Sequence, residues 1–213
     1  MKHALILGAN GQIAQWLLML LAVAMLSGLA FFIGVTLIEK RQARAVAGMV
    51  PHDAPAHSRG AVVYFSRSGN TGLAARHVAK RMGSALYPLQ VPEYELGLGG
   101  LARSAFAANA RRTDPEALPD ITPRRLNLKP FDTVWLGSPI WAFVEHNRFD
   151  GQHVVLFNTF NSNLAADQIA AFKAKVMARG ARSFKHRQVL RGRMTRQLTP
   201  EEMLGSIDSE WFA

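Results

Sequence analysis

The sequence contains no cysteine, which excludes a disulfide framework, a thiolate zinc site, an iron–sulfur cluster and a cysteine nucleophile. It is also short of acids: 15 Asp and Glu stand against 25 Lys and Arg, a formal charge of +10. The low hydrophobicity that keeps a chain disordered is missing too, since 49% of the residues are hydrophobic. No internal repeat, low-complexity tract, catalytic triad or paired-carboxylate pattern is evident, and His146 and His153 have no metal-ligand spacing with other donors. At 213 residues the chain has room for one ordinary domain of about 150 residues and about sixty more.

The most prominent feature present is one long run without charge. Residues 16–38 read WLLMLLAVAMLSGLAFFIGVTLI. As a helix they span about 34 Å, enough for a hydrocarbon core of about 30 Å. Core helices seldom stay uncharged this long, and cleaved signal segments stop sooner, so the run reads as a retained single-pass transmembrane helix. Glu39, Lys40, Arg41 and Arg44 follow it, whereas only Lys2 and His3 precede it. The positive-inside bias therefore puts the C-terminal domain in the cytoplasm, with the anchor in the inner (cytoplasmic) membrane. Residues 1–15 are expected to form a short tail. Their segment LILGANGQIA looks like the Gly-rich turn of a dinucleotide-binding fold, but it lacks the βαβ unit and the acid about twenty residues on that such a site needs. Residues 39–60, with Pro51 and Pro55 and no apolar period, read as a tether.

Ordered structure is expected to resume at Ala61 and to run to the end, 61–213. The apolar run AVVYF (61–65) predicts a strand, SRSGNT (66–71) a polar turn, and 72–82 a helix. Further strands are expected over 85–91, 132–137, 153–158 and 183–190, and a helix over 164–179 with Ile169, Phe172 and Val176 on one face. Thr199, Pro200 and Glu202 predict a final helix opened by a capping box. Strands alternating with helices, some of them apolar without alternation, imply an α/β fold: a doubly wound, five-stranded parallel sheet covered on both faces. Ligands of such sheets sit at the carboxyl ends of strands where the strand order reverses, which directs attention to Ser66, Ser138 and Asn158. The turn 66–71 offers three hydroxyls, a small Gly69 and a helix start. It is either a phosphate cradle or a capped helix N-terminus. It has no P-loop lysine, so nucleotide hydrolysis is not expected.

These residues carry a resemblance. YFSRSGNT (64–71) resembles the phosphate loop of flavodoxins and flavodoxin-like proteins. FDTVWLGSPIW (131–141) is similar to the third strand and first flavin loop of that family, and FDGQHVVLFNTFNSN (149–163) to its fourth strand and second flavin loop. The resemblance implies a strand order of 2-1-3-4-5 and flavin mononucleotide (FMN) as cofactor. Ser66, Arg67, Ser68, Gly69, Asn70 and Thr71 would hold its phosphate. Ser138, Pro139, Ile140 and Trp141 would line the isoalloxazine ring, and Asn158, Thr159, Phe160, Asn161, Ser162 and Asn163 would close over it. The function implied is that of a membrane-tethered flavoprotein that transfers electrons, with FMN-dependent oxidoreductase chemistry, to a redox partner protein or a membrane quinone. The alternative is a flavodoxin-like module with a degraded flavin site, acting as a membrane-bound binding or scaffold protein.

Two further features bear on that choice. Only 142–151 separate Trp141 from the fourth strand, about ten residues, short for a loop and a crossover helix together. A helix of about two turns and a poorly covered sheet face are expected there. Lys173, Lys175, Arg179, Arg182, Lys185, Arg187, Arg191, Arg193 and Arg196 form a run with no acid among them. The run reads as a solvated face or as a contact with anionic membrane lipid. No aromatic platform is interleaved with it, so nucleic acid is not an expected partner.

Overall fold

A computed structural model describes residues 2–53, 57–95, 99–100, 118–138, 140–160, 164–193 and 196–212. It divides into two compact units, Met1–Ile38 and Glu39–Ala213. Helix α1, Lys2–Ala47, supplies the first unit and enters the second. Part of it is long and apolar enough to cross a membrane, and Leu17, Leu20, Met25 and Phe31 are exposed along it.

Residues 2–15 are helical, which leaves no Gly-rich turn at 5–14. Residues 39–47, expected as tether, continue the same helix. The segment EKRQARAVA lacks an apolar period but consists almost wholly of strong helix formers. A helix already nucleated upstream gains one hydrogen bond per added residue, and this one stops only before Gly48.

In the second unit the elements follow as β1 Gly60–Tyr64, α2 Asn70–Met82, β2 Ala85–Pro88 and β3 Thr133–Gly137. Next come α3 Trp141–His146, β4 His153–Asn158, α4 Ala166–Ala178 and β5 Ser183–Gln188. A small antiparallel hairpin, β6 Gly192–Arg193 and β7 Arg196–Gln197, leads to α5 Pro200–Trp211. The five larger strands form one parallel sheet in the order β2-β1-β3-β4-β5.

Successive side chains of a strand point to opposite faces, and the unbroken apolar runs therefore feed two cores. Ala61, Val63, Val134, Leu136, Val154 and Leu156 face one side, with Phe143, Phe149 and Phe172 packed over them. Val62, Trp135, Val155 and Phe157 face the other, against Leu73 and Val78 of α2 and Met203, Ile207 and Trp211 of α5. The capping box is formed: Glu202 N–H donates to Thr199 Oγ1 at 3.2 Å, and Thr199 N–H donates to Glu202 Oε2 at 2.6 Å.

The face next to α3 is not poorly covered, contrary to the expectation from its short sequence. The helix is only six residues long, but Ala142, Phe143 and Val144 are all buried. Asn147 closes it from within the core. Its Nδ2 donates to Arg124 O and Phe143 O, each at 2.8 Å, and its Oδ1 accepts from Leu126 N–H at 2.9 Å. Large apolar residues on one turn, fixed by a fully bonded amide, do the work of a longer helix.

Candidate functional site

The chain leaves β1 for β2 on one side and reaches β3 on the other, so the strand order reverses between β1 and β3. That is where an open α/β sheet leaves a crevice beyond its strands. Backbone bonds extend the ladder into the loops there: Phe65 N–H to Gly137 O at 3.2 Å, and Ser138 N–H to Phe157 O at 3.0 Å. Ser138 has a φ of 74°, a left-handed conformation that costs a non-glycine residue about 1–3 kcal/mol. The strain lies where the loop turns out of β3.

The loop after β1 ends on Gly69, the N-cap of α2, with φ 90° and no side-chain cap. Ser68, Asn70 and Thr71 therefore do not serve as caps, and the leading amides of a 13-residue helix keep their capacity for an anion. The side chains are turned toward neighbouring loops instead. Thr71 Oγ1 and Thr159 Oγ1 share a hydrogen bond at 2.9 Å, and Asn70 Oδ1 accepts from Arg191 Nε at 3.2 Å. Arg67 Nη2 meets Glu39 Oε2 at 2.9 Å, so the cation expected on the phosphate is engaged by the end of α1.

Three atoms stand out. Ser66 Oγ, Asn158 Nδ2 and Arg191 Nη1 are buried and find no hydrogen-bond partner among the described residues. Buried polar atoms are nearly always bonded, and one without a partner loses its hydration for nothing. These three lie on the segments leaving the carboxyl ends of β1, β4 and β5. Uncapped helix amides and a buried guanidinium fit a phosphate, and the Asn158 amide fits a ring carbonyl. The donor set fits an FMN-like group.

Beside the loop after β1, a cavity of about 370 Å³ is lined by Phe65, Ser66, Arg67, Val91, Tyr94 and Glu95. A second, of about 50 Å³, brings Ser138, Ile140 and Trp141 to Phe65 and Tyr94. Ile140 is buried in the core. Trp141 is half-buried, with its ring edge-to-face on Phe172 at 4.9 Å and 80°. Phe160 contributes its carbonyl, which accepts from Arg191 N–H at 2.9 Å. Pro139, Asn161, Ser162 and Asn163 lie outside the described residues.

Among the described residues, part of the basic run is engaged or buried. Lys175 Nζ pairs with Glu145 Oε2 at 2.5 Å, and Arg179 closes on the same carboxylate. Arg191, read as part of that run, is only 5% exposed. Arg191, Phe65 and Tyr94 are the residues at this candidate site that sequence reasoning missed. One signal pointed to Arg191: it follows β5 at the carboxyl end of the sheet, the same end as the three loops already singled out.

His186 on β5 lies beside Asn158, with its Nε2 at 2.9 Å from Asn158 Oδ1, and burial lowers its pKa below the usual 6.5. A depressed folded value means the unfolded chain takes up the proton first. The contribution of His186 to stability is therefore complete above about pH 6.5 and lost as pH falls through the folded value. An NMR titration of the His186 ring should show a midpoint below that of the free imidazole. A midpoint at or above 6.5 would contradict the burial argument.

The sequence profile described as flavodoxin matches residues 59–201. The fold is shared with a candidate flavoprotein of Bacteroides uniformis at 20% identity and a TM-score of 0.55, covering 71% of this chain and 98% of that one. A candidate flavoprotein of Bacteroides eggerthii also matches at 20% identity, with a TM-score of 0.52 and coverage of 71% and 97%. A Lactobacillus acidophilus flavoprotein solved in complex with FMN matches at 13% identity and a TM-score of 0.49, over 61% of this chain and 93% of that one. No curated protein matches.

Proposed function

This chain belongs to the flavodoxin family, and from that premise we propose that it binds FMN in the crevice between the β1, β3 and β4 loops and transfers electrons while tethered to a membrane by α1. The observation that carries the reading is the set of buried polar atoms on Ser66, Asn158 and Arg191 that find no partner among the described residues, with Arg191 bonded to Asn70 at the uncapped start of α2. When bound, the flavin supplies the redox chemistry. The chain's own residues bind and orient it. The amides of α2 and the hydroxyls of 66–71 hold the phosphate, Asn158 offers a donor to the ring, and Phe65 and Tyr94 offer apolar faces. The Thr71–Thr159 bond ties the phosphate loop to the loop after β4, so the two sides of the crevice are set relative to each other before a ligand enters.

The span within α1 supports single-pass tethering, and the cations after it support a cytoplasmic domain. Exposed Lys40, Arg41, Arg44, Lys173, Arg182 and Lys185 favour an anionic lipid surface, each by about 1 kcal/mol where close to it. A redox partner protein or a membrane quinone is the acceptor that such a tethered domain would meet.

Extraction and spectroscopy test this reading. The full chain should stay with membranes in high salt, enter solution with detergent, and carry about one flavin per chain, visible in its absorption. Colourless protein that excess FMN does not reconstitute would leave a membrane-bound binding or scaffold module. Release by salt alone would remove the tether.

A further inference from the structure

Arg191 is a charged group in a place that disfavours charge. It is 5% exposed, and its pKa is pulled down by burial, with the fields of Glu201 and Glu202 acting in the opposite sense. No described carboxylate forms an ion pair with it. Its backbone is fixed on both sides: its N–H donates to Phe160 O at 2.9 Å, and its carbonyl accepts from Leu198 N–H at 2.8 Å. Its Nε is bonded to Asn70 Oδ1 at 3.2 Å, which holds the guanidinium beside the first residue of α2. Its Nη1 has no partner among the described residues.

A buried guanidinium is stable only when an anion or several acceptors meet it. Its planar fork matches phosphate oxygens, whereas an ammonium offers only a point charge. We propose that Arg191 is the counter-charge of the phosphate site, reaching it from β5 across the start of α2, and that it makes the pocket select a flavin bearing a terminal phosphomonoester over one without. This rests on the FMN reading above. It assigns to Arg191 the charge that the sequence pattern gave to Arg67, which is held by Glu39. Arg191 Nη1, Ser66 Oγ and the amides of α2 then form one anion cradle built from β1, α2 and the segment after β5.

The test uses the detergent-solubilised full chain, with flavin stripped, as wild type, Arg191→Met and Arg191→Lys. Binding of FMN and of riboflavin is followed by quenching of flavin fluorescence at several salt concentrations, and thermal midpoints are recorded with and without inorganic phosphate. For Arg191→Met the expected result is an FMN affinity at least thirtyfold weaker, a riboflavin affinity changed by less than threefold, and a flattened salt dependence. Arg191→Lys should recover part of the FMN affinity. The flavin-free Arg191→Met protein should melt close to wild type, because removing a buried charge that has no ion pair among the described residues offsets the lost bond to Asn70.

Equal losses for FMN and riboflavin would make Arg191 merely structural and overturn the proposal, as would unchanged FMN binding. If wild type binds no flavin, the FMN reading fails by itself. A phosphate-induced rise in thermal midpoint that is present in wild type and absent in Arg191→Met would then still uphold Arg191 as an anion ligand, and its absence from wild type would overturn both.

Discussion

Replacing Gly69 with valine is expected to weaken FMN binding at least a hundredfold and to lower the thermal midpoint of the domain by about 5–15 °C. Two effects act on the same atom. Gly69 sits at φ 90°, where a β-branched residue is a genuine outlier and the strain is about 1–3 kcal/mol. A Cβ there would also lie 2.4 Å from Val46 Cγ2 and 3.1 Å from Ala43 Cα, and relieving such overpacking typically costs about 1–3 kcal/mol more. The loop would have to move off the end of α1, taking the leading amides of α2 out of register with the phosphate. Gly83, the left-handed C-cap of α2 at φ 56°, has nothing within 4 Å of its would-be Cβ. Gly83→Ala is therefore the control. It should lose about 1 kcal/mol of stability and none of its FMN affinity. Calorimetry and fluorescence titration of both variants separate strain from cofactor loss. A Gly69→Val protein that binds FMN like wild type would place the phosphate elsewhere.

The parts legible in the sequence were those in which local chemistry and tertiary role coincide. AVVYF and HVVLFN are apolar on both faces, and a strand of that kind is stable only inside a sheet covered on both sides; β1 and β4 are interior strands of this one, flanking β3. Thr199 and Glu202 satisfy each other within four residues, so the start of α5 needed no tertiary information. The candidate phosphate loop is legible because its glycine and hydroxyls fall directly after an apolar strand. Arg191 was not, because a buried arginine and a solvated one have the same neighbours in sequence, and only the meeting of β5 with α2 distinguishes them. The cover that the short α3 gives is illegible for a related reason. Its length suggested weak cover, whereas Phe143, Val144 and the bonded Asn147 determine how much of the face is closed. At residues 39–47 helix propensity was the informative quantity and apolar periodicity was not.

That last segment yields the other large expected effect. Val46→Lys should leave residues 39–47 at least a hundredfold less protected against amide hydrogen exchange. Val46 is 2% exposed and packs in the core cluster that contains Leu73 and Val78 of α2. Arg76 holds the end of the helix, donating from Nε to Met49 O at 3.0 Å and from Nη2 to Val46 O at 2.5 Å. Gln42 Nε2 donates to Gln197 Oε1 at 2.6 Å, and Glu39 pairs with Arg67. A lysine at this position puts an uncompensated charge into that core beside the Arg76 guanidinium, a change worth about 3–5 kcal/mol. Local opening responds to such a loss by about one decade per 1.4 kcal/mol, hence about two to four decades. The sheet and its other helices keep their own contacts, so exchange in β1, β3 and β4 should change far less. Undocking also separates Glu39 from Arg67 at the entrance to the phosphate loop, and FMN affinity should hold or rise, since the α2 amides and Arg191 are untouched. If wild-type residues 39–47 already exchange at the rate of free peptide, the segment is a tether after all and the packing on Gly69 has no part in the site. If they stay protected in Val46→Lys, the docking energy lies with Arg76 and Glu39 and not with the buried valine.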